Sequence, residues 1–137
     1  MMAWTHAAIG AAIGSQSPTK EKAFAAGMVS HGIADLVPHR DFDMKIEVPL
    51  LGFMLALIAW RFGLKSKQLW GAIGGFSPDI ENGLEILGVI PEAVYPTHTK
   101  RPWFVGHGRK VKSILPQLLL ILLCLYIADR HQPNDSQ

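Results

Sequence analysis

Hydrophobic residues in this chain recur at helical spacing, and no segment alternates apolar and polar side chains as a half-buried strand would. The pattern predicts an all-α fold, a compact bundle of about five helices. The first runs from His6 to Gly14 with Thr5 as its N-cap, and its Gly10 and Gly14 form a small-residue face for close helix contact. Ser15 to Thr19 reads as a turn, and the second helix spans about Pro18 to Val37, with Pro18 suited to its first position. A third covers about Lys45 to Phe62. The stretch Gln68 to Phe76 echoes the first helix: a tryptophan near its start, an Ala-Ile-Gly tripeptide, and glycines four apart at Gly71 and Gly75. Ser77-Pro78-Asp79 then reads as a helix start, and Gly88-Val89-Ile90-Pro91 as a break. After a long loop, a last helix covers about Lys110 to Arg130. Residues 1–131 form a single helical domain, followed by a polar tail, 132–137.

At 137 residues the chain has room for one domain and a real core. Its composition sharpens the picture: 49% of residues are hydrophobic and 18% charged, against a usual charged share of about 25%. So little polar surface fits a small membrane protein. The apolar runs Val48–Trp60 and Leu118–Ala128 are each short of the roughly 20 residues a perpendicular span needs. Basic residues flank both, as Arg61, Lys65 and Lys67 do the first. The expectation is a membrane-embedded bundle with membrane lipid as its partner, in an inner or plasma membrane. The start lacks a basic segment before an apolar one, so no cleavable signal peptide is expected. A net charge of +2 without a basic helix argues against nucleic acid. Cys124, alone in an apolar run, reads as a small buried hydrophobe.

Within this apolar chain the polar residues gather at segment ends. His31 and Asp35 are four apart, hence on one helix face, and Pro38 ends that helix. His39, Asp41 and Asp43 follow where the chain leaves it. His6, Asp79, His98 and His107 occupy other boundaries, giving His6, His31, Asp35, His39, Asp79, His98 and His107 as candidate metal ligands. Asp35 and Asp79 are also candidates to position the metal or act as general base. Four have an ordinary alternative: His6 as a surface histidine, His31 as a cap on a core contact, Asp79 as an acid near a helix cap, Asp35 as the partner of Arg40. Together they have the mixed nitrogen and oxygen character of hydrolytic zinc or manganese sites.

Thr5-His6-Ala7-Ala8-Ile9 resembles the N-terminal Thr-His motif of zinc-dependent phospholipase C-like proteins. His31-x-x-x-Asp35 with Pro38-His39 resembles their metal-binding helix, shared with nucleases of the P1 type. Gly75-Phe76-Ser77-Pro78-Asp79-Ile80 and Thr97-His98 are similar to motifs of small inner-membrane, predicted metal-dependent hydrolases, with Glu81 where that family usually has a second aspartate. The resemblance implies a membrane-associated phosphoester hydrolase with a zinc cluster, acting on a substrate such as a phospholipid head group. Two other readings remain: a non-catalytic membrane protein that binds or transports a divalent metal, and a structural bundle whose polar groups make only caps and buried hydrogen bonds.

Overall fold

In the computed structural model, which describes residues 1–100 and 106–131, five α-helices form a compact bundle. They are α1 (Ala3–Gln16), α2 (Lys20–Asp35), α3 (Met44–Phe62), α4 (Lys67–Ile86) and α5 (Leu115–Arg130). Part of the loop before the last helix (101–105) and the polar tail (132–137) lie outside the described residues.

Glycine sets the spacing of the three innermost helices. A Cβ on Gly71 would lie 2.2 Å from the Gly10 carbonyl oxygen, one on Gly14 2.3 Å from that of Lys67, and one on Gly74 2.0 Å from that of Phe24. The backbones of α1, α2 and α4 are therefore in direct contact, as the paired glycines of the first and fourth helices predict. On its other side α1 presents Ala7, Ala8, Ala11 and Ala12, all buried, to Met54 and Ile58 of α3 and to Ile121, Cys124 and Ala128 of α5. Arg61 and Asp129 join the ends of α3 and α5 in an ion pair.

Several boundaries differ from those the sequence predicts. Thr5 lies buried inside α1, whose N-cap is Met2. The second helix starts after Thr19, whose side chain accepts the Lys22 N–H, so Pro18 precedes it. Ser77-Pro78-Asp79 starts no helix: α4 is continuous from its cap at Ser66, whose hydroxyl accepts the Leu69 N–H at 3.1 Å. Pro78 has no N–H to give the Gly74 carbonyl, and the Ser77 hydroxyl donates to that oxygen instead, at 2.8 Å. The last helix starts at Leu115, because Lys110 is held in a β-bridge with His39.

Membrane embedding finds no support in the helices. Among the described residues none is long and apolar enough to cross a membrane. The α5 helix has 16 residues, and α3, with 19, includes Lys45, Glu47 and Arg61. Both nonetheless turn apolar side chains outward, Phe53 and Trp60 from α3 and Leu119, Leu122, Leu123 and Tyr126 from α5.

Replacing Gly71 by alanine is expected to destabilise the protein by at least about 2 kcal/mol, because neither facing backbone can give way. The control is Gly52→Ala in α3, where an added Cβ meets nothing within 4 Å. That change is expected to add about 0.5–1 kcal/mol and raise the unfolding temperature by a few degrees. Thermal denaturation of the two variants checks both.

Candidate metal centre

Asp35 is the last residue of α2, and it has no exposed surface. The chain turns sharply there, the Leu36 and Val37 N–H groups bonding to the Ile33 and Ala34 carbonyls ahead of Pro38. The freed Asp35 carbonyl accepts the Gly108 N–H at 2.6 Å. Only glycine fits there, since a Cβ would lie 2.3 Å from the Val37 carbonyl oxygen. That contact and the His39–Lys110 bridge bring His107 and His39 to the end of α2. Thr97 and His98 arrive on the loop after α4, which Tyr95 secures. Its N–H goes to Glu81 at 2.9 Å, and its hydroxyl donates to the Met28 carbonyl at 2.6 Å while accepting the Gly32 N–H. Glu81 thus anchors a loop rather than a ligand.

Around Asp35 the distances are short. Its Oδ1 lies 3.0 Å from His6 Nε2 and 2.5 Å from the Met1 amino nitrogen. Its Oδ2 accepts the Thr97 hydroxyl at 2.8 Å and lies 3.1 Å from His31 Nε2 and 3.2 Å from His98 Nε2. Those two nitrogens are 3.4 Å apart. A carbonyl can only accept, and each ring turns its Nδ1 to one: His31 to Gly75 at 2.7 Å, His98 to Pro78 at 3.3 Å. Nδ1 therefore carries the proton in both, and in the neutral rings both Nε2 atoms are bare. Three electron pairs, from two imidazoles and a carboxylate, then face one another. Only a cation, a metal ion or added protons, relieves that arrangement.

A second group adjoins the first. His39 donates its Nδ1–H to the Val37 carbonyl at 2.7 Å, leaving its Nε2 facing His107 Nε2 at 2.9 Å and Asp41 Oδ1 at 3.3 Å. Donor atoms of Asp35, His39 and His107 are close enough to share an ion, as are those of His31, Asp35 and His98, and of His6, His31 and Asp79.

Electrostatics match a cation site. Burial pulls the His6 imidazole down to about 3, so it is neutral. Burial also opposes ionisation of Asp35, but its hydrogen-bonding partners, the His6 Nε2–H among them, outweigh it and hold the carboxyl below its usual range. Asp79 differs: burial pushes its pKa well above the ordinary value. Its Oδ1 is 3.9 Å from both His31 and His98 Nε2, and its buried Oδ2 has no hydrogen-bond partner.

All seven candidates thus converge on one locus. Asp43, named with Asp41 in the sequence, is exposed at the start of α3. Asp35 does not pair with Arg40, whose guanidinium donates to the Lys112 carbonyl. The seven omit Asp41 and Thr97, which the structure adds; each is within two residues of a candidate histidine, the one signal that could have drawn them in. No protein family, no curated protein and no solved structure matches the chain.

Asp35→Ala is expected to abolish binding of zinc by the folded protein, while His131→Ala, at an exposed histidine beyond the cluster, leaves it unchanged. Metal analysis after dialysis checks this, and equal zinc in the wild type and Asp35→Ala would favour a structural role. Metal-free protein should also lose stability as pH falls from about 6.5 toward 3. The unfolded chain protonates His6 throughout that range and the folded chain does not, a contribution of up to about 1.4 kcal/mol per pH unit. Urea titrations at successive pH values measure the slope, which His6→Gln should reduce.

Proposed function

We propose that the protein is a membrane-associated, metal-dependent hydrolase of phosphoesters, with zinc as its metal. The observation that carries this reading is the group of bare acceptors, His31 Nε2, His98 Nε2 and Asp35 Oδ2, within 3.4 Å of one another in a buried site. Nitrogen and oxygen donors without sulfur suit zinc in hydrolytic enzymes. When bound, zinc would supply a water of lowered pKa and a positive charge for a phosphoryl oxygen.

The chain's own residues divide the remaining work. Asp35 supplies negative charge, its two oxygens held by His6, the Met1 amine and Thr97. The carbonyls of Gly75, Pro78 and Val37 fix the ring orientations of His31, His98 and His39. Asp79, with a raised pKa and its Oδ1 3.9 Å from both His31 and His98 Nε2, is the general acid–base. Catalysis is favoured over a closed metal-storage site because a cavity of about 450 Å³ reaches Asp79, His98 and His107. Membrane association would run through the outward apolar residues of α3 and α5, without a span.

The test is hydrolysis of bis(4-nitrophenyl) phosphate by zinc-loaded protein. Chelation is expected to abolish turnover and zinc to restore it. Asp79→Asn is expected to keep its zinc and lose about 10²–10⁴-fold in kcat. Zinc bound with no turnover of any phosphoester would favour the metal-binding alternative, and loss of zinc in Asp79→Asn would make that residue a ligand.

A further inference from the structure

The cavity beside the metal centre has a chemically mixed lining. Asp79, His98 and His107 reach it from the metal centre, and Asp41, Glu47 and Asn82 add polar groups. Most of the rest is apolar, with Val48 and Leu51 from α3, Phe76, Ile80 and Leu84 from α4, and Leu87 just beyond it. Val48, Ile80 and Leu87 are more than half exposed. Its volume, about 450 Å³, falls within the usual range for small-ligand sites, about 300–1,000 Å³.

Gly83 adds a second observation. It lies on this wall, inside α4, where glycine costs about 1 kcal/mol relative to alanine. The other glycines of α4 are there because a neighbouring backbone leaves no room for a side chain. At Gly83 an added Cβ would meet only the mobile end of Met44, at an ordinary 3.9 Å. No packing contact excludes a side chain from this position. What its absence provides is open space in the cavity.

We infer that this cavity holds the hydrocarbon chain of the substrate, so that the substrate is a single-chain amphiphile, an alkyl or acyl phosphoester whose phosphoryl group lies at the metal centre. A purely polar ester would leave the apolar wall wet, and a purely apolar molecule would strip water from Asp79 and the histidines without replacing its hydrogen bonds. An amphiphile satisfies both kinds of lining. The chain is then selected by the protein rather than left in a bilayer. This inference rests on the hydrolase reading for the position of the phosphoryl group, but the apolar wall can be tested apart from it.

Alkylphosphonates, which are not hydrolysed, provide the probe: methyl, butyl, octyl and dodecyl compounds, below their micellar concentrations, titrated calorimetrically into zinc-loaded protein. Affinity is expected to rise about three- to fourfold per methylene and then level off when the wall is covered. Gly83→Phe should remove most of that rise, with methylphosphonate affinity and zinc content within twofold of wild type. The variant is expected to fold, since it replaces a helical glycine facing open space. Affinity independent of chain length, or a full rise retained in Gly83→Phe, overturns the inference. A chain-length gain that survives chelation and is lost in Gly83→Phe supports the apolar wall, even where the hydrolase assay fails.

Discussion

A carboxylate with no exposed surface must be compensated by whatever surrounds it, and Asp35 imposes that requirement on most of the chain. It sits between Ala34 and Leu36 at the end of a helix with little polar surface. Its compensation comes from far away in sequence: His6 from α1, Thr97 from the loop after α4, and the Met1 amine. Removing one partner would leave charge or hydrogen-bonding capacity buried without an answer. The positions of α1, of the loop after α4 and of the Gly106–Lys110 stretch are all tied to this one group.

Convergence of this kind requires backbones to come unusually close, and the glycines permit it. A Cβ on Gly75 would lie 2.4 Å from the His6 carbonyl oxygen, and one on Gly27 2.2 Å from that of Gly71. With α1 and α2 both seated on α4, the rings of His6 and His31 stack with centroids 3.8 Å apart. The same proximity brings the Gly75 carbonyl to His31 Nδ1, which turns Nε2 toward Asp35. The small residues that hold the bundle together thus also set the chemical state of a ligand.

Pro78 belongs to the same design. A proline inside α4 leaves a carbonyl to be satisfied, and Ser77 does so locally. The Pro78 carbonyl, one turn on, orients His98, while its neighbour Asp79 brings Oδ1 within 3.9 Å of the His31 and His98 Nε2 atoms. A local irregularity in the helix therefore lies at the junction of metal centre and cavity, where the backbone is least able to be regular.

Helical periodicity is a local property, and what depends on it was legible from the residues alone. The all-α class, the glycine faces, and His31 and Asp35 on one face ending near Pro38 all follow from spacing within one or two turns. The clustering of histidines and acids at segment ends was legible too, because polar groups in an apolar chain are too costly to be placed at random. Other features depend on residues remote in sequence. That Gly108 must lie against Val37, that Arg40 turns to Lys112 instead of Asp35, and that His31 and His98 face each other through bare nitrogens are distances set by packing. Composition is silent on membrane spans for the same reason. An apolar excess counts residues, whereas a membrane span requires one uninterrupted helix, and here the apolar residues are divided between a glycine-spaced core and the outward faces of α3 and α5. Sequence carried the list of chemically active side chains; only the folded backbone decided which lone pair faces which, because that is fixed by contacts tens of residues apart.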